Sequence, residues 1–214
     1  MGATLTRILI ADDHEVVRRG LKGILADTFP KSKIGEARTS QEAVEAVHKQ
    51  DWDIILLDIN MPGRSGLEVL EEIKRLHPQL PVLVLSAFPE EDYAMRAIKL
   101  GASGYLTKQS ASDELIAAIN KALAGGKYVT ASLAEKLAAS VAGETPGDPH
   151  DSLSNRELQV LRLVATGKTL KEVAAELNLS EKTVGTYRMR IAEKLRVSTN
   201  VELTRYALQH KLVD

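Results

Sequence analysis

The chain has 214 residues, 44% hydrophobic and 27% charged, which is the balance of an ordinary globular protein. It holds no cysteine, which excludes disulfides and thiolate metal sites, and no apolar run reaches the roughly 18 residues of a membrane span. The net charge of −1 conceals an asymmetry: residues 1–141 carry 17 Lys+Arg against 19 Asp+Glu, whereas residues 153–214 carry 11 against 7.

The first residues show no charged-then-apolar signal segment, so a cytoplasmic protein without membrane contact is expected. From there, short apolar runs alternate with helical periodicity. Strands are expected at Arg7–Ala11, Lys33–Ala37, Ile54–Asp58, Val82–Ser86 and Gly104–Thr107. Helices are expected at His14–Ala26, Gln41–Lys49, Gly66–Leu76, Glu90–Leu100 and Ser112–Ala124. Thr39-Ser40-Gln41-Glu42 fits a capping box, and Ala124-Gly125-Gly126 ends the fifth helix with a C-cap signature. Five strands, each followed by a helix, predict an α/β fold with a parallel doubly wound sheet over residues 1–126.

Residues 127–152 read as a linker, with Thr130–Val141 as a further helix and Gly143–Asp151 holding almost nothing to bury. Ser154-Asn155-Arg156-Glu157 is a second capping box, opening a helix at Asn155–Ala165. Further helices follow at Leu170–Leu177, Glu181–Leu195 and Val201–His210, giving a small all-α module over residues 153–214. A basic terminal module fits an anionic polymer as partner.

Polar residues stand at the carboxyl ends of the strands, where open α/β sheets gather their ligands. Asp12 and Asp13 close the first strand, Asp58 the third and Ser86 the fourth, and Lys108 follows the fifth. Three converging carboxylates make a site for a hard cation, and Asp13 and Asp58 with a backbone carbonyl suit magnesium. One carboxylate, Asp58, is placed to accept a phosphoryl group, forming an acyl phosphate. Lys108 and Ser86 would then neutralise and hydrogen-bond the phosphate oxygens.

The residues Asp12-Asp13, Asp58-Ile59-Asn60-Met61-Pro62-Gly63, Ser86-Ala87 and Gly104-Tyr105-Leu106-Thr107-Lys108 resemble the receiver domain of two-component response regulators. The resemblance implies a flavodoxin-like sheet and Mg2+-dependent phosphotransfer from a sensor histidine kinase to Asp58. It assigns metal ligation to Asp13, Asp58 and the Asn60 carbonyl, with Asp12 in support, and a switch to Ser86 and Tyr105. It also implies a regulator and not an enzyme, with at most weak self-dephosphorylation.

Leu153–Leu161, Lys171–Ala174, Leu179–Val184 and Lys194-Leu195 resemble the LuxR-type helix-turn-helix domain, so the whole chain is similar to NarL/FixJ-type response regulators. On a helical wheel Val184, Ile191 and Leu195 of the third helix of the module face inward. Carried over by position, the resemblance places Gly185, Thr186, Met189 and Arg190 near base edges. It places Lys182, Thr183, Tyr187 and Lys194 near phosphates, and leaves Arg188 without a role. The implied partners are double-stranded promoter DNA, a second copy paired through Val201–His210, and RNA polymerase. Two rivals remain open at this stage: a phosphoaspartate hydrolase or phosphotransferase, and a receiver whose terminal module binds protein or RNA.

Overall fold

A computed structural model of the protein describes residues 6–61, 64–141, 149–210 and 212–213. Pro62, Gly63 and most of the linker-like run after Gly143 lie outside the described residues. The chain forms two compact units, Met1–Ala142 and Gly143–Asp214.

In the first unit five strands, β1 (Arg7–Ala11), β2 (Lys33–Ala37), β3 (Ile54–Asp58), β4 (Val82–Ser86) and β5 (Gly104–Thr107), form one parallel sheet ordered β2-β1-β3-β4-β5. Their bounds are those the apolar runs predict. Helices α1 (Glu15–Thr28), α2 (Ser40–Lys49), α3 (Gly66–Leu76), α4 (Glu90–Lys99) and α5 (Ser112–Leu123) follow the strands in turn. The residues Ile8–Ala11, Ile54–Leu57 and Val82–Leu85 are buried on both faces, which is why these strands read as continuous apolar runs. Register sets the site: Ala11 lies opposite Leu57, Asp58 opposite Leu85, and Ser86 opposite Thr107.

Two cap expectations resolve differently. Thr39 accepts from the Glu42 amide (3.1 Å), but the Glu42 carboxylate accepts from the Arg38 amide (2.7 Å), one residue earlier than a capping box requires. The end of α5 does form the expected cap. Gly125 takes φ +81°, and the Gly125 and Gly126 amides donate to the Ala122 and Lys121 carbonyls, the two bonds of a Schellman motif.

The stretch expected as linker from residue 127 is partly docked on the first unit. Tyr128 makes a parallel bridge to Gly104, its amide donating to the Ser103 carbonyl at 2.7 Å. A Cβ on Gly104 would stand 2.7 Å from the Tyr128 carbonyl oxygen, so the approach depends on the absence of a side chain there. Helix α6 (Ala131–Val141) then packs against α4, with Leu133 buried and Thr130 Oγ1 donating to Glu90 at 2.5 Å.

Among the described residues the second unit opens with a 3-10 turn, Pro149–Ser152, followed by α7 (Asn155–Ala165), α8 (Leu170–Glu176), α9 (Glu181–Leu195) and α10 (Asn200–Gln209). Capping boxes open α7, α8 and α10 through Ser154/Glu157, Thr169/Glu172 and Thr199/Glu202. Helix α9 buries Val184, Ile191 and Leu195, the three residues of the predicted inward stripe. Among the described residues no helix is long and apolar enough to cross a membrane.

Candidate functional site

The order of strands reverses between β1 and β3, and at that switch point the crevice outside the carboxyl ends opens. Asp12 follows β1 and Asp58 ends β3, both almost fully buried; Asp13 is partly exposed. One ligand atom from each of Asp12, Asp13, Asp58 and His14 lies within 4.8 Å of the other three. Lys108 closes the group, its Nζ standing 2.8 Å from an oxygen of Asp12 and 2.8 Å from one of Asp58. The Lys108 amide continues the β4–β5 ladder by donating to the Ser86 carbonyl at 2.7 Å, and this places the ammonium over the rim.

Burial raises the Asp58 carboxyl above its ordinary range; Lys108 opposes this and the Asp12 charge adds to it. Burial works against the Lys108 ammonium, but Asp58 and Asp12 outweigh it and hold its pKa above the ordinary value. Three carboxylates against one ammonium leave the crevice short of positive charge. Asp12 Oδ2 and Asp13 Oδ1 are sequestered without an aligned hydrogen bond, although Lys108 and His14 nitrogens lie at 2.8 and 2.7 Å. Under-satisfied oxygens of this kind, in an oxygen-rich donor set, fit a hard divalent cation.

The Asn60 amide donates to Asp58 Oδ1 at 3.1 Å, bending the chain back over the carboxylate. Ser86 is fully buried, and its hydroxyl accepts from the Phe88 amide at 3.0 Å. The Tyr105 hydroxyl reaches the carbonyls of Phe88 (3.0 Å) and Pro89 (3.3 Å). Ser86 and Tyr105 therefore grip the same β4–α4 connection from two strands.

Three residues at this site escape a motif-based reading. His14, next to Asp12-Asp13, donates its amide to Asp12 Oδ1 at 2.8 Å. Arg18 is buried and donates from Nη1 to the Asp12 carbonyl (2.8 Å) and from Nε to Glu36 (3.0 Å). Its signal is an arginine on the buried stripe Arg18, Leu21, Leu25 of α1. Gly66, the first residue of α3, donates to the Ile59 carbonyl at 2.9 Å and lies against the Asp58 backbone.

On the second unit, the residues singled out along α9 divide into two groups. Lys182, Met189 and Arg190 are exposed, and Thr183, Gly185, Thr186 and Tyr187 half-buried. Thr183 sits at the helix start, its hydroxyl 2.8 Å from that of the cap residue Ser180. Arg188 is tied to α10, Nε donating to Asn200 at 2.6 Å. Lys194 turns toward the helix bundle, 2.6 Å from Glu157 and 3.1 Å from the Ser152 carbonyl, which leaves one of its three ammonium donors for a phosphate.

Burial raises the Glu157 carboxyl, but the Lys194 and Ser154 hydrogen bonds outweigh this and hold it below the ordinary range. Between the lowered native value and the ordinary one the unfolded chain binds more protons, so stability rises with pH there and is lost in acid. Glu157→Gln is expected to cost about 1 kcal/mol at pH 7, and the gap from the parent protein should narrow as the pH is lowered toward 4. Urea denaturation of the full chain across that range measures both.

Comparison with known proteins agrees in both units. The model of the "Response regulator receiver domain" matches residues 8–120, and that of the "Bacterial regulatory proteins, luxR family" matches residues 151–207. The chain is 35% identical over 211 residues to the response regulator GacA of Pseudomonas aeruginosa PAO1, covering 98% of this chain and 99% of that protein. It is also 35% identical to the response regulator UvrY of Escherichia coli K12, over 98% and 97% of the two chains. Among solved structures, RcsB from Salmonella enterica serovar Typhimurium bound to promoter rprA in the presence of phosphomimetic BeF3- aligns with a TM-score of 0.61. That alignment has 28% identity and covers 95% of this chain and 98% of that one.

Proposed function

The chain belongs to the NarL/FixJ-type response regulators, DNA-binding transcription regulators of two-component systems, and from that membership we propose that phosphorylation of Asp58 by a sensor histidine kinase controls its binding to promoter DNA. The observation that carries the proposal is the Lys108 ammonium at 2.8 Å from both Asp12 and Asp58 at the switch point of the sheet. Asp58 is the nucleophile: an oxygen attacks phosphorus as the bond to the donor imidazole nitrogen breaks. Lys108 leaves its contact with Asp58 for a phosphate oxygen, and Ser86 donates to another in place of accepting from Phe88. Loss of that Ser86 contact frees the connection that Tyr105 also holds, which passes the event to α4.

Mg2+ held by Asp13, Asp58 and the Asn60 carbonyl, with Asp12 in support, would neutralise the transferred group. We place the receiver at residues 1–126 with α6 as its extension, and the DNA-binding domain at 153–214. Apart from weak self-dephosphorylation the protein carries no turnover of its own, and it works in the cytoplasm. Pairing of two copies is assigned to α10, where Val201 is 77% exposed and Leu208 49%. Two half-sites about one helical turn apart would then match a two-fold dimer. RNA polymerase is the further partner that a promoter-bound regulator implies.

Binding to a selected duplex, measured with and without acetyl phosphate, tests the proposal. Affinity should rise on phosphorylation and fall steeply with salt; salt-insensitive binding, or binding unchanged by phosphorylation, would overturn it. Arg190→Ala is expected to lose about 1–3 kcal/mol of discrimination at one base position. Unchanged site preference in a selection experiment would remove Arg190 from the reading set.

A further inference from the structure

The outer face of α9 has an apolar centre between two cations, with the acidic Glu193 exposed beyond them. Lys182 in the first turn and Arg190, next to Met189, are exposed. Between them stands Met189, 63% exposed, and it is the one large hydrophobic residue so exposed on this helix. A thioether carries no donor and only a weak acceptor, so it has no hydrogen bond to offer a base edge. Thr186, three residues earlier on the same face, commits its hydroxyl to the Lys182 carbonyl at 3.0 Å. The hydroxyl keeps only its acceptor capacity for an outside partner, beside the methyl group.

Gly185, one turn before Met189, completes the apolar centre. A Cβ added there meets nothing within 4 Å, and its φ is not positive, so neither packing nor conformation within the unit calls for glycine. In a helix interior glycine is the less stable choice against alanine. The open backbone at that point leaves room for something that approaches from outside.

Of the four bases, thymine alone presents a methyl group in the major groove. Resting on the DNA-binding reading above, we infer that this chain reads a thymine C5-methyl through Met189, with Thr186 beside it and Gly185 allowing the helix to approach closely. Arg190 supplies the polar contact on the same turn. The recognised sequence therefore contains a thymine whose methyl, and not its O4, is the discriminating group.

The test uses the full chain and a duplex obtained by in vitro selection, followed by fluorescence anisotropy. Each thymine is replaced in turn by deoxyuridine, which removes only the C5-methyl. One or two positions per half-site should weaken binding, by about fourfold per methyl, and Met189→Ala should abolish that sensitivity. Gly185→Ala should raise the thermal midpoint yet bind the same duplex more weakly, which separates the effect from misfolding. A duplex bound specifically with equal affinity at every deoxyuridine position overturns the inference, as does full sensitivity in Met189→Ala. Failure to select any duplex instead removes the DNA reading itself, and the inference falls with it.

Discussion

Asp58→Asn is expected to abolish labelling by acetyl phosphate while leaving the receiver at least as stable as the parent protein in magnesium-free buffer. The loss of labelling follows from chemistry: an amide oxygen is not a nucleophile that forms an acyl phosphate. The gain or parity in stability follows from electrostatics. Burial and the Asp12 charge hold the Asp58 carboxyl above its ordinary range despite Lys108. From the ordinary carboxylate range up to that raised value the native state binds more protons than the unfolded chain. Stability therefore falls as pH rises through that window, and at neutral pH the ionised carboxylate weighs against the fold. Asparagine removes the charge, and Lys108 keeps Asp12 as its partner at 2.8 Å. Thermal denaturation at pH 7 beside a labelling assay checks both halves. Persistent labelling would reassign the acceptor, and a marked fall in melting temperature would mean that the Asp58–Lys108 pair stabilises the receiver.

The contrast between what the sequence makes visible and what it hides has a physical pattern. Strands β1, β3 and β4 are legible because burial on both faces makes each an unbroken apolar run, whereas β2, with Lys33 and Glu36 exposed, is legible only from its place in the alternation of strands and helices. The rim residues are legible because parallel strands bring all their carboxyl ends to one side. Asp12, Asp58, Ser86 and Lys108 need only stand at those ends to converge. Residues that act on backbone atoms are hidden. Arg18 holds the Asp12 carbonyl, and Gly66 abuts the Asp58 carbonyl, and no side-chain motif encodes either contact. Docking of the segment after α5 is hidden for the same reason, since it depends on the missing side chain of Gly104. Lys194 shows a different limit. Its place on α9 resembles a phosphate contact, but its partner Glu157 lies 37 residues earlier, beyond any local pattern.

Gly66 gives the sharpest test of this backbone layer. Its φ is not positive, so conformation does not demand glycine; proximity does. A Cβ at Gly66 would stand 2.1 Å from the Asp58 carbonyl oxygen, 2.7 Å from Ile59 Cα and 2.9 Å from the Asp58 carbonyl carbon. These are backbone atoms and cannot rotate aside, so either the start of α3 or the Asp58–Ile59 peptide must move. Overpacking of this kind costs about 1–3 kcal/mol, and Gly66→Ala belongs at the upper end of that range. The displaced peptide lies between the Asp58 carboxylate and the Asn60 carbonyl, so labelling should also slow at temperatures where the variant is still folded. Gly20→Ala is the matched control: it lies within α1, a Cβ there meets nothing within 4 Å, and it should stabilise by about 1 kcal/mol with labelling unchanged. If Gly66→Ala melts and labels like the parent protein, the approach of α3 to Asp58 has no part in holding the acceptor. If it slows labelling far more than its lost stability accounts for, Gly66 positions the carboxylate through the chain that carries it.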